Sequence, residues 1–138
     1  EGRAVDFDAL VAFCREAVGA HAGTLFVEGV GGIMVPLDVR HTVLDWAKAL
    51  DVPLILVAGS YLGTLSHTLT ALDVIARAGP GVVAVVVNES AGATVALEET
   101  AVALRRFTAV PIVTLPRGAP VASFADLAQL LAAAADQT

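Results

Sequence analysis

The chain has 138 residues, 57% hydrophobic but only 5% aromatic, with a formal net charge of −6. That length is one domain's worth and can bury a sizeable aliphatic core of Val, Leu, Ile and Ala. Eight basic residues scattered along an acidic chain give a phosphate backbone nothing to follow, which argues against nucleic acid as a partner.

In chain order, Asp6 can cap a helix whose apolar residues Leu10, Val11, Cys14, Ala17 and Val18 recur at helical spacing. Cys14 is the single cysteine, so no internal disulfide exists, which suits a reducing, cytoplasmic setting; its place in the helix predicts packing rather than reactivity. The chain opens Glu1-Gly2-Arg3 and runs straight into this amphipathic segment, so no signal peptide is expected, and Glu1 is not expected to be a natural start.

Gly19 to Gly23 ends the helix, and Thr24 to Glu28 reads as a buried strand that delivers a carboxylate to its carboxyl end. Gly29, Gly31 and Gly32 then free the backbone to approach a ligand closely. A carboxylate at such a strand mouth is placed to hold a hard cation, and we read Glu28 as serving a nucleotide-linked magnesium. Pro36 and Asp38 belong to a loop, and His21 and His41 also fall in loops without evident role. Thr42-x-x-Asp45 is a capping-box pattern opening a short helix with Val43, Trp46, Ala47 and Leu50, Trp46 being core.

Val52 to Leu72 carries no formal charge over 21 residues, but Pro53, Gly59, Gly63 and its hydroxyl residues rule out a spanning helix. It divides into a strand over 52–57, a turn over 58–63 and a helix to about Ala78 marked by Leu65, Leu69, Leu72 and Ile75, with His67 expected to pack or cap. Gly79-Pro80-Gly81 breaks the chain before a valine strand over 82–87 and a polar loop over 88–94. Leu97, Ala101, Leu104 and Phe107 predict a helix, Ile112–Leu115 a short strand, and Ser123-x-x-Asp126 the cap of a last helix lined by Leu127, Leu130, Leu131 and Ala134.

Four apolar strands alternating with helices predict a single α/β domain over 1–138, with a parallel sheet covered on both faces. Ligands of such sheets bind beyond the strands' carboxyl ends, so Glu28-Gly29, Ala58-Gly59, Asn88-Glu89 and Pro116-Arg117 should share one rim. The glycines do not follow G-x-G-x-x-G, and the only lysine, Lys48, lies inside a helix, so no P-loop can be written. Zinc-type Cys/His spacing and a G-x-S-x-G elbow are absent as well.

Val27-Glu28-Gly29-Val30-Gly31-Gly32-Ile33-Met34-Val35-Pro36-Leu37 resembles the V-E-G-A-G-G-x-x-x-P-L signature of the dethiobiotin synthetases. Leu62-Gly63-Thr64-Leu65-Ser66-His67-Thr68 is similar to that family's L-G-x-x-N-H-x stretch, with Ser66 in place of the usual Asn. Asn88, the Leu115-Pro116 pair and the opening Glu1-Gly2-Arg3 match further positions in order, and the whole covers the carboxyl-terminal part of the family pattern without its P-loop segment.

The resemblance implies a three-layer α/β/α, P-loop NTPase-like fold present in part. It implies an ATP- and magnesium-dependent ligase of biotin biosynthesis that closes the ureido ring of dethiobiotin from diaminopelargonic acid and carbon dioxide. An amine takes up carbon dioxide as a carbamate, the carbamate is phosphorylated, and the second amine displaces phosphate. Glu28 would be the magnesium ligand and catalytic carboxylate; Gly29, Val30 and Gly31 would pack against nucleotide and Gly32 against substrate. Asn88, with Glu89 beside it, would meet the adenine edge, and Leu115, Pro116 and Arg117 would flank the base.

Gly63, Thr64, Leu65 and Ser66 would hold the substrate carboxylate on a helix amino terminus, contributed in the family by the other subunit of a homodimer. The uncharged run Ser66 to Leu72 separately suggests a helix buried on both sides, as at a subunit interface. The alternative is a non-catalytic domain of the same architecture that dimerises or senses a nucleotide. Either way, the 138 residues alone are expected to turn over no substrate, because the phosphate cradle and its lysine are missing.

Overall fold

A computed structural model of the protein describes residues 5–135, so the Glu1-Gly2-Arg3 match lies outside the described residues. The chain forms two compact units, one of Glu1–Val52 with Ala78–Pro80 and one of Pro53–Arg77 with Gly81–Thr138. No helix among the described residues is long and apolar enough to cross a membrane.

The first unit rests on two helices. In α1 (Phe7–Ala20) the Asp6 carboxylate accepts from the Ala9 N–H at 3.0 Å, the predicted cap. Helix α2 (Val43–Leu50) opens with the full capping box: Asp45 Oδ2 accepts from the Thr42 N–H at 2.8 Å, and Thr42 Oγ1 accepts from the Asp45 N–H. Their facing sides bury Val11, Cys14, Val43 and Trp46, with Phe7, Leu10, Ile33 and Leu37 packed around them, as the spacing predicted for Cys14 and Trp46.

The loop before α2 is held by Asp38, which accepts from the N–H groups of Arg40 (2.6 Å) and His41 (2.7 Å) and lies 2.7 Å from His41 Nδ1. The His41 ring stacks on Phe7 with centroids 4.0 Å apart. His41 is therefore a structural clasp rather than an idle loop residue, a pairing that spans too much sequence to be read from spacing.

The expected strand over 24–28 does not form. The segment takes no regular secondary structure and is exposed, with Phe26 66% accessible, and has no ladder partner among the described residues. Its β-favouring composition is real, but a strand exists only through hydrogen bonds to a neighbour.

The second unit carries the sheet. Strands β1 (Leu54–Gly59), β2 (Val82–Asn88) and β3 (Ile112–Leu115) pair in parallel in the order β1-β2-β3. Helices α3 (Thr64–Ala78) and α4 (Leu97–Arg105) are the two crossovers, and both pass over the same face, as crossovers stepping in one direction must when each is right-handed. On that face Val85, Val87 and Leu104 are buried among Leu56, Leu69, Leu72 and Ile112. On the other face Val86, Val113 and Leu115 meet Leu127 and Leu130 of α5 (Ala125–Ala135). The alternation Val85-Val86-Val87 across the two cores is the period-two geometry of a strand covered on both sides.

Some boundaries shift from those predicted. β1 begins two residues late, because Asp51 takes a left-handed conformation (φ 53°) to end α2 and Pro53 has no N–H to give a ladder. Phe107 falls beyond α4 and is 71% exposed. Ser123 does not cap α5: a 3₁₀ turn over Val121–Phe124 already includes it, and its N–H bonds to the Pro120 carbonyl.

Leu104→Ala, which empties a site of zero exposure, is expected to lower unfolding free energy by about 2–5 kcal/mol in urea denaturation. The Asp38 carboxyl is held down to about 2 by its hydrogen bonds, His41 foremost, against an ordinary value of 3.8. A lowered folded-state value stabilises at higher pH, so this contribution is complete above 3.8 and lost as pH falls toward 2. Across that window the thermal midpoint should fall more steeply in the wild type than in Asp38→Asn.

Candidate functional site

The parallel register ends all three strands together. Gly59 pairs with Asn88 and Asn88 with Leu115, so the carboxyl ends of β1, β2 and β3 lie side by side. Beyond them the loops are tied to one another. The Glu89 N–H donates to the Leu115 carbonyl (2.9 Å), carrying the β2–β3 ladder one residue past the strands. The Arg117 N–H donates to Glu89 Oε2 (2.8 Å), and the Ser90 N–H donates to Oγ of the fully buried Ser60 (3.1 Å).

The loops after β2 and β3 border an open concavity of about 410 Å³ lined by Glu89, Ser90, Ala91, Gly92, Ala93 and Arg117. Asn88 is exposed at the carboxyl end of the central strand β2, and the Arg117 guanidinium has no partner among the described residues. Leu115 differs from its neighbours: its side chain is buried with Val86 and Val113, leaving Pro116 and Arg117 as the exposed part of that strand end.

At the next strand end, the Thr64 hydroxyl donates to the Gly59 carbonyl (2.6 Å) and its N–H to the Tyr61 carbonyl, which fixes the start of α3. Gly63 takes φ 94°, a value its lack of Cβ permits. The Leu65 and Ser66 N–H groups have no acceptor among the described residues, as the first turn of a helix leaves them. Leu62, Leu65, Ser66, His67 and Thr70 are exposed, while Leu69 and Leu72 pack on the sheet, so in this chain one side of α3 is covered and the other open. His67 Nδ1 lies 3.2 Å from the Tyr61 hydroxyl.

Glu28 and its glycines belong to the other unit. The Glu28 carboxylate is exposed and makes no hydrogen bond or ion pair among the described residues. Gly29 has a packing reason for being glycine, since a Cβ there would lie 3.0 Å from Val43 Cγ1 and 3.5 Å from the Trp46 ring. Gly31 takes φ 80°, while a Cβ on Gly32 would meet nothing within 4 Å; Val30 is 85% exposed. No group of three or more His, Cys, Asp or Glu among the described residues could hold a metal by itself. A lone open carboxylate fits a cation already bound to phosphates, since Mg²⁺ commonly takes one or two carboxylates and fills its shell with phosphate oxygens and water.

The structure thus brings Ala58-Gly59, Asn88-Glu89 and Pro116-Arg117 together on one rim, and places Glu28-Gly29 in the unit without the sheet. Ser60, Ser90 and Gly92 escaped the sequence reading. The polar loop over 88–94 marked the region, but which residues face the concavity depends on the Ser60–Ser90 bond, which crosses 30 positions.

A protein-family model described as an AAA domain matches residues 1–121. An ATP-dependent dethiobiotin synthetase BioD from Acidiphilium cryptum (strain JF-5) is 50% identical over 105 residues, covering 76% of this chain and 47% of that protein. Proteins of the same name from Methylobacterium nodulans and Haloferax mediterranei are 44% identical over 120 residues and 37% identical over 112. They cover 86% and 81% of this chain and 53% and 48% of their own lengths, so the chain spans about half the length of the curated relatives it matches.

Gly32→Ala is expected to leave the unfolding free energy within about 0.5 kcal/mol of wild type, because its surroundings are open. Gly29→Val should cost about 1–3 kcal/mol by overpacking against α2. Chemical denaturation of the two variants separates the structural glycine from the one free to serve a ligand.

Proposed function

This chain belongs to the AAA domain family and is a relative of the ATP-dependent dethiobiotin synthetases, and on that premise we propose that it is the carboxyl-terminal portion of such an enzyme. The reaction is the magnesium- and ATP-dependent closure of the ureido ring of dethiobiotin from diaminopelargonic acid and carbon dioxide. One family match running across both units supports treating residues 1–138 as a single α/β portion of that fold.

In this reading the rim of the sheet receives the base end of ATP. Asn88 would offer an amide for the base edge, Glu89 and Arg117, which line the concavity, would flank it, and the exposed Pro116 and the Leu115 main chain would lie beside them. Glu28 holds the magnesium, with Gly29, Val30 and Gly31 beside the nucleotide and Gly32 beside the substrate. The cation's contribution is to neutralise charge on the transferring phosphoryl group. The open N–H groups of Leu65 and Ser66, with Gly63 and Thr64 shaping the turn, receive the substrate carboxylate.

A homodimer in the cytoplasm completes the proposal. The exposed, uncharged first half of α3, with Leu65, Ser66, His67 and Thr70 open to solvent ahead of the Asp73–Arg77 ion pair, supports the dimer, and the buried free Cys14 suits the compartment. The same open α3 surface favours a second reading, a dimerising or nucleotide-sensing module; turnover by the full protein would decide against it.

The single observation that carries the ligase reading is the uncommitted Glu28 carboxylate on its glycine-rich segment. Calorimetric titration of the full protein tests it. Glu28→Gln should weaken binding of magnesium-ATP by at least about tenfold, the scale on which even outer partners of a metal act. Binding of ATP in EDTA should change little, and so should the melting temperature, since the side chain has no structural partner to lose. Equal affinity and turnover in both proteins would remove Glu28 from the site.

A further inference from the structure

Glu89 stands at the mouth of the concavity, where an acidic side chain invites a role in touching the ligand. Its hydrogen bonds give one of its oxygens a partner within the protein. The main-chain N–H of Glu89 donates to the Leu115 carbonyl at 2.9 Å, and its side chain turns across the same gap, where Oε2 accepts the Arg117 N–H at 2.8 Å. Pro116 has no N–H, so Arg117 carries the first donor on β3's exit, and Glu89 takes it.

Past these bonds the two chains part into separate turns, closed by Ala93 N–H to the Ser90 carbonyl and Ala119 N–H to the Pro116 carbonyl. Those turns are the two walls of the concavity. One residue therefore staples both walls from both its backbone and its side chain, across 28 positions of sequence.

We infer that Glu89 is a positioning residue, whose carboxylate sets the separation of the 89–93 and 116–118 loops and so the width of the cleft offered to a nucleobase. The inference rests on the nucleotide reading above for the ligand, and on the Glu89–Arg117 bond alone for the device. What the device needs is an acceptor oxygen rather than a negative charge, because its partner is a neutral main-chain N–H. Losing it frees the 116–119 turn to fray from the end of β3, with the base less well gripped and the reacting phosphates, at the far end of the nucleotide, little disturbed.

The test compares Glu89→Ala with Glu89→Gln in the full protein. Glu89→Ala should raise KM for ATP about threefold to tenfold, the worth of one such hydrogen bond, with kcat changing much less. Glu89→Gln keeps an acceptor oxygen and should recover most of that loss. A Gln variant as impaired as the Ala variant would show that charge on the ligand, not the clasp, is what Glu89 supplies, and would overturn the inference. A parallel fall in kcat and melting temperature in Glu89→Ala would overturn it too, by reducing the residue to a fold contact.

A readout without nucleotide separates the two layers. The Arg117 amide proton should be slow to exchange in wild type and Glu89→Gln and fast in Glu89→Ala by NMR; an unchanged rate in Glu89→Ala refutes the clasp. If the amide responds as expected and the wild type binds no ATP, the nucleotide reading falls, and the role assigned to the cleft falls with it, while the bond itself stands.

Discussion

The in-register ending of three parallel strands governs what this protein can do. Gly59, Asn88 and Leu115 are ladder partners, so whatever follows each of them emerges at the same height and on the same edge. Parallel ladders demand crossovers, and the two crossover helices occupy one face while α5 closes the other. With both faces covered by aliphatic side chains, the open rim is left as the place where polar groups of several loops can meet.

The loops at that rim are not loose ends. Ser60 is buried with its hydroxyl oxygen holding the Ser90 N–H, and Thr64 returns its hydroxyl to the Gly59 carbonyl. Each of these satisfies a main-chain group that the end of a strand would otherwise leave open. A Cβ on Gly59 would fall 2.5 Å from Ser90 Oγ and 2.8 Å from the Tyr61 ring, so any larger residue there would have to push those two side chains aside. Order at the concavity is thus a by-product of finishing the sheet's hydrogen bonds.

The other unit follows a different logic. Its helices are fixed by capping side chains and by one aliphatic-aromatic cluster, and Gly29 is drawn against Val43 and Trp46 by the same packing. That contact holds the backbone immediately beside Glu28, while the carboxylate itself stays in solvent with no partner among the described residues. In the proposed reading, that tethered backbone carries the free charge that would meet a cation arriving with its own phosphate ligands.

Much of this was legible in the residues themselves. The valine run, the Thr42–Asp45 box, the Asp6 cap and the helical spacing of Cys14 are local signals, set by interactions within one turn or by the period of one element. The V-E-G-x-G-G and L-G-T-L-S-H stretches carried the family, because short motifs survive independently of packing. What tertiary structure decided is everything that needs a partner far along the chain. The run over 24–28 has a strand's composition and yet no neighbour to pair with among the described residues. Asp38 and His41 sit three residues apart, but only the stack on Phe7, far back in the sequence, makes their pair a clasp. Glu89 looked like a ligand contact by its position after a strand, and the Arg117 N–H across 28 residues gives its oxygen another task. Periodicity and capping are written in neighbouring residues, whereas hydrogen bonds between distant segments come into being only once the chain has folded.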